Sequence, residues 1–262
     1  MSDERIKTVV EDLERTLLVF IRKHQITHDE YRHATDLLVS SITAGEDSLL
    51  LDVFFAAEAT DIGNLGRKAS PQAIEGPFYV PGAPALEPPY IVPQRPNEGG
   101  DPLYFSGCVT GADGEALACT EMDFWQADAD GLYSNIHPGI PDWNLRGRFR
   151  TDAQGRFEVK TILPPPYEIP KNGPAGRLLS VLGRHFFRPA HLHVKLRHSG
   201  YKELTSQIYF QGSDYIDSDV ANAVRDGLVV PLRRKDSASE LAARHLQRAY
   251  WEVRYDFALM PD

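Results

Sequence analysis

AHLHVKLR, residues 190–197, decides how the second half of this chain folds. Ala190, Leu192 and Val194 alternate with His191 and His193. That is the period of a β-strand, whose successive side chains point to opposite faces. Outward from it, TSQIYFQG (205–212), GRFEVKTI (155–162), LRGRFRTD (145–152), EMDFWQAD (121–128), YFSGCVT (104–110) and YWEVRYDFAL (250–259) alternate or concentrate β-branched and aromatic residues. Turn chemistry punctuates them at GADGE (111–115), DADG (128–131) and DAQG (152–155). Seven short strands so separated predict a mainly β protein with a β-sandwich domain over residues 101–262.

The first half has another rhythm. Ile6, Val9, Val10, Leu13, Leu17, Phe20 and Ile21 follow helical spacing across residues 4–23, with charges opposite. Thr27 and Glu30 form a T-x-x-E capping box that starts a second helix through Tyr31, Ala34, Leu37, Leu38 and Ile42, ending near Gly45. A third helix, about 48–58, contains LLLDVFFAA. Being apolar all round, it should be buried and needs partners, within the chain or from a second copy. Six prolines in residues 81–100 exclude helix and central strand, leaving a linker or an extended wrap over a surface. Residues 1–100 therefore read as a helical dimerisation segment plus a proline-rich linker.

The chain has 262 residues, 28 Lys+Arg against 37 Asp+Glu, and a net charge of −9. With no basic block, it is poorly suited to phosphate backbones, so no nucleic-acid partner is expected. No apolar run is long enough to span a membrane. The charged start MSDER is not a secretory signal. Cys108 and Cys119 have no metal-site spacing, which suits a reducing compartment, and the expectation is a cytoplasmic protein.

His191 and His193, on one face of one strand, can converge on a metal. The pair alone does not separate a metal site from two polar positions on a solvated face. Cys and carboxylates, the usual companions in zinc or ferrous sites, are not well placed. Tyrosine remains, with Tyr133 in DGLYSN and Tyr167 in PPPYEIP as candidates. A phenol has a reference pKa of about 10, so a phenolate near neutral pH needs a highly charged cation such as Fe(III). Spacing alone does not select these two from 11 tyrosines.

PQAIEGPFYVPGAP (71–84), DGLYSN with NLRGRFRTD (130–152), and PPPYEIPKNGPAGRLL, GRHFFRPAHLHVKL and SQIYFQGSDY (within 164–215) resemble the intradiol ring-cleavage dioxygenases, in their catechol and chlorocatechol 1,2-dioxygenase branch. The resemblance covers nearly the whole chain. It implies one Fe(III) per subunit, bound by Tyr133, Tyr167, His191 and His193. The implied reaction inserts both atoms of O2 between the hydroxyl-bearing carbons of a catechol, giving a cis,cis-muconate without an external reductant. In that scheme Tyr167 is the axial ligand that substrate displaces, opposite His193, and it can take a substrate proton. Arg188 places a cation beside the substrate ring, and Gln207 lies in the pocket near the iron.

The same resemblance assigns substrate contacts to Leu49, Asp52, Val53, Ile74, Gly76, Pro77, Phe78, Ile169, Pro170 and Arg188. Chloro- and methyl-substituted catechols are the leading substrates. Asp52 is shared with hydroxyquinol 1,2-dioxygenases, where it suits a third hydroxyl, so hydroxyquinol is the runner-up. The resemblance also implies a homodimer through the N-terminal helices, with a phospholipid between them. A non-catalytic β-sandwich binding module and a colourless zinc hydrolase are the alternatives of other classes.

Overall fold

The computed structural model describes all 262 residues. It divides into two compact units, Met1–Asp47 and Ser48–Asp262. The first contains α1 (Asp3–His24) and α2 (His28–Thr43). Gln25 closes α1 in the left-handed conformation at φ 52°, its N–H reaching Ile21 and Arg22 carbonyls. Thr27 then opens α2 with both halves of the expected capping box. No residue of α1 is buried: Val10, Leu13, Leu17 and Phe20 are each half-exposed or more.

In the second unit, α3 (Asp47–Leu51) runs through a π-helical turn (Asp52–Ala56) into α4 (Ala57–Asn64). The expectation of a helix buried on every side is corrected here. Leu49, Leu50, Val53 and Ala57 are buried, while Leu51, Phe55 and Ile62 face outward. The strands are β1 (Tyr90–Ile91), β2 (Pro102–Gly111), β3 (Glu121–Trp125), β4 (Arg146–Arg150), β5 (Arg156–Ile162), β6 (Tyr167–Glu168), β7 (Phe187–Arg188), β8 (His191–Arg197), β9 (Leu204–Phe210), β10 (Val229–Val230), β11 (Arg233–Lys235), β12 (Tyr250–Arg254) and β13 (Phe257–Leu259). Helix α5 (Pro174–Val181) separates β6 from β7, and α6 (Ala238–Ala243) precedes β12.

One sheet has the order β1-β5-β2-β12-β11, with β13 also on β2; the other has β10-β9-β8-β3-β4. Their inner faces make one core. Leu103, Phe105, Val159 and Val253 come from the first sheet; Phe124, Leu192, Val194, Leu196 and Ile208 come from the second. A fully buried side chain of this kind contributes about 1.5–3 kcal/mol. Because β8 alternates strictly, sending Leu192, Val194 and Leu196 inward turns His191, His193 and Lys195 to the outer face.

The boundary expected at residue 100 is not where the compact units part. Residues 81–100 are held on the sandwich as an extended wrap, not a free linker. Tyr90 and Ile91 pair in parallel with Val159 and Lys160, Val92 N–H bonds the Lys160 carbonyl, and Leu86 and Pro84 exchange hydrogen bonds with Arg148. Proline lacks a donor, so it suits this edge position, where the intervening residues supply the N–H groups.

Candidate metal centre

The site lies on the outer face of the five-stranded sheet. Pairing fixes its floor: His193 stands opposite Trp125 of β3 and Gln207 of β9, and His191 opposite Tyr209. The indole of Trp125 stacks on the His193 ring, with centroids 4.7 Å apart and planes 12° apart. The His191 and His193 Nε2 atoms face each other at 3.0 Å. His191 Nδ1 is 2.7 Å from the Pro189 carbonyl, so Nδ1 carries the proton and Nε2 keeps its lone pair. The Arg188 guanidinium, donating to Nε2 at 3.3 Å, fits the same tautomer.

Each tyrosine arrives by a separate device. Asp128 Oδ1 accepts from the N–H groups of Asp130 and Leu132, closing the turn that delivers Tyr133. Gly131 in that turn has φ +81°, and a Cβ there would lie 2.9 Å from the Tyr167 Cβ, so the turn requires glycine. His137 clasps the Tyr133 backbone through reciprocal contacts at 2.9 Å. Tyr167 follows three prolines into β6, whose pairing with β7 sets it directly opposite Arg188. The phenol rings meet edge to face at 5.4 Å; Tyr133 is 6.1 Å from His193 and Tyr167 is 5.6 Å from His191, between centroids. The four expected donors are thus brought together, each 5% exposed or less.

Two polar atoms of this set have no hydrogen-bond partner although fully buried: the Tyr133 hydroxyl and His193 Nδ1. Orphaned buried groups are destabilising and uncommon. No third His, Cys, Asp or Glu joins the imidazoles to form a conventional metal cluster, so any cation between them would also meet phenols. Burial holds His193 well below the usual imidazole range, helped by His191 and Arg188, and takes His191 down to about 3 with Arg188 assisting. Burial pushes both phenols up. For Tyr133, neighbouring Tyr167 adds to the rise; for Tyr167, Arg188 opposes it. Neutral imidazoles whose Nε2 atoms converge, with two phenols, suit a hard, highly charged cation able to displace the phenolic protons.

Arg188 is buried and heavily anchored. Its Nε and Nη2 reach the two Asp219 oxygens at 3.1 and 3.0 Å, and Nη2 also donates to Gln207 Oε1 and the Tyr209 hydroxyl, both at 2.9 Å. Burial works against its charge, but Asp219 outweighs this and holds the guanidinium firmly protonated. Gln207 in turn donates to the Ile74 carbonyl at 2.7 Å. Asp219, Tyr209, Trp125 and His137 were not selected from sequence. Tyr209 alone had a usable signal, since it shares a strand face with Gln207.

The expected substrate contacts separate into groups. Leu49, Val53, Phe78 and Ile169 pack with Tyr133 and Tyr167 in one apolar cluster, and the Phe78 ring is 4.8 Å from that of Tyr133. Ile169 and Pro170 also line a cleft of about 650 Å³ with Gly131, His137 and Tyr167. Asp52, Ile74 and Gly76 instead line a cleft of about 420 Å³ with Ser48, Gln72 and Thr205, and the Asp52 carboxylate accepts from Ser48 Oγ at 2.7 Å. Pro77 is exposed. A separate cleft of about 1010 Å³ beside Tyr104, Lys160 and Arg244 contains none of the donors.

Comparison with known families places this architecture. A model described as Dioxygenase matches residues 74–261, and one described as Catechol dioxygenase N terminus matches residues 3–65. The chain belongs to the intradiol dioxygenase family, in its catechol and chlorocatechol branch. Chlorocatechol 1,2-dioxygenase of Rhodococcus opacus is 38% identical over 243 residues, covering 92% of this chain and 95% of that protein. The crystal structure of 3-chlorocatechol 1,2-dioxygenase from Rhodococcus opacus 1CP superposes with a TM-score of 0.92 at 40% identity over the full length of both chains. The crystal structure of hydroxyquinol 1,2-dioxygenase from Pseudomonas putida DLL-E4 aligns with a TM-score of 0.87 at 28% identity, covering 100% of this chain and 94% of that one. The protein is an enzyme of the catechol/chlorocatechol 1,2-dioxygenase type.

Proposed function

We propose that this enzyme opens catechol and chloro- or methyl-substituted catechols between their two hydroxyl-bearing carbons, using O2, to give cis,cis-muconates. The observation that carries the reading is the convergence of Tyr133, Tyr167, His191 and His193, with the Tyr133 hydroxyl buried and unpartnered. These four side chains would hold one Fe(III) per chain. Bound, that ion would draw electron density from a chelated catecholate and make its ring reactive toward O2.

The chain's own groups prepare that chemistry. Tyr167, opposite Arg188 and beside the cleft, can accept a substrate hydroxyl proton at its phenolic oxygen once ionised, and the adjacent guanidinium opposes the rise that burial imposes on its phenol. Arg188, locked by Asp219, presents a fixed positive charge where negative charge builds on the ring, and Gln207 keeps it aligned. The cluster of Leu49, Val53, Phe78 and Ile169 excludes water and offers apolar ring substituents an apolar wall beside the two tyrosines. Asp52 is engaged by Ser48 in the other cleft, which favours catechols over hydroxyquinol.

We also propose a homodimer through the N-terminal helices with a phospholipid between them; the half-exposed apolar stripe of α1 supports it. No helix is long and apolar enough to cross a membrane, and both cysteines are free, which agrees with a cytoplasmic setting. The test is kcat/KM for catechol, 4-chlorocatechol and hydroxyquinol with product identification. Muconate formation with the first two ahead supports the reading; turnover of hydroxyquinol alone overturns the substrate assignment.

A further inference from the structure

Arg146 is a buried guanidinium without an ion pair. It is 1% exposed and begins β4 opposite Trp125. Its hydrogen bonds all go to neutral oxygens: Nε to the Ser134 carbonyl and Oγ at 3.2 and 3.1 Å, Nη2 to the Ser134 and Phe78 carbonyls at 2.9 and 2.8 Å. Arg188, the other buried guanidinium of the site, has Asp219 instead. A charge buried without a counter-ion is destabilising. Asp123 acts on Arg146 only at longer range and is already engaged by Tyr79 at 2.9 Å and Arg197 at 3.7 Å. The Tyr79 hydroxyl, which also acts on Arg146, is engaged by Asp123 and Arg197; that leaves Tyr133, whose ring centroid lies 5.8 Å from the guanidinium carbon and whose hydroxyl is unpartnered.

We propose that Arg146 is the counter-charge of Tyr133 when that phenol binds metal as a phenolate, and that through Tyr133 it sets the affinity and the colour of the centre. Arg146 is thus a positioning residue, and the inference rests on the ferric reading above. A fixed cation beside a phenolate stabilises its filled donor orbitals, so moving an electron from phenolate to metal needs more energetic light. A neutral phenol gains far less from the same charge. The guanidinium is therefore an electrostatic burden in the metal-free protein and an asset in the loaded one.

The test compares Arg146→Met and Arg146→Gln with Arg146→Lys, each metal-free and loaded with ferric iron. In the neutral variants iron affinity should fall by roughly 10–100-fold, the usual effect of losing a group that supports a metal ligand. Their phenolate-to-iron absorption should move to longer wavelength, and the loaded form should lose more thermal stability than the metal-free form. Lys should restore the band position. An unshifted band, with equal destabilisation of both forms, would reduce Arg146 to a strut for Ser134 and Phe78 and overturn the proposal. Gln keeps a donor for the Ser134 carbonyl, so it still decides the matter if Met does not fold. A colourless iron-loaded wild type would overturn the ferric reading first, and this inference with it; a coloured wild type with unshifted variants overturns this inference alone.

Discussion

α1 and β8 invert each other. The helix carries the most regular apolar stripe in the chain and buries none of it. The strand sends His191, His193 and Lys195 outward from the sandwich core, yet all three are buried. Amphipathic periodicity reports which side chains share a face, not what covers that face. On β8 the cover is built from Phe78, Tyr133, Tyr167 and the α3 side chains, so polar groups are confined where they can act. On α1 the apolar stripe still faces solvent, the condition a second copy would relieve.

The largest effect should come from the β8 side. Tyr133→Phe removes a phenol oxygen that has no other partner, so iron retention and ring opening should fall by more than the 10–100-fold typical of outer-shell changes; bound iron per chain and turnover measure it. Arg188→Gln should lower kcat by about 100–1000-fold, as for other lost charge-stabilising donors. It should also weaken the fold, because Asp219 is left buried and unpaired. Stopped-flow turnover and thermal unfolding separate the two effects.

Acid should distinguish the regions next. His191 and His193 are held below their unfolded value of about 6.5, so the unfolded chain binds protons first as pH drops. Metal-free stability should therefore be lost progressively from about pH 6.5 toward the folded His191 value near 3. An unchanged unfolding midpoint from pH 7 to 4 would contradict that burial. On the other side of the comparison, Leu13→Asp should shift sizing chromatography from dimer to monomer while iron binding persists. It should change monomer stability by no more than about 0.5 kcal/mol, since Leu13 is already 55% exposed. Thr27→Ala, which touches neither the site nor the α1 stripe, should cost only the α2 cap, about 1 kcal/mol, read by chemical denaturation.

What the sequence makes legible follows the same division. Alternation in AHLHVKLR places both imidazoles on one face, and T-x-x-E marks the start of α2; both are local patterns that the fold keeps. Tyr133 and Tyr167 are legible only through resemblance, because their convergence depends on a β6–β7 ladder and an Asp128 turn far apart in the chain. Asp219 carries no pattern at all; its meaning comes from Arg188, 31 residues away. The π-turn after Leu51 and the docking of residues 81–100 are likewise tertiary outcomes, in which packing on the sandwich overrides what composition suggests.

The visible absorption spectrum of the iron-loaded enzyme, taken without oxygen before and after adding catechol, tests the centre most directly. Two tyrosinates on ferric iron predict a red-brown protein whose absorption changes when catechol binds. A fully iron-loaded protein that stays colourless, or a band indifferent to catechol, would contradict the account.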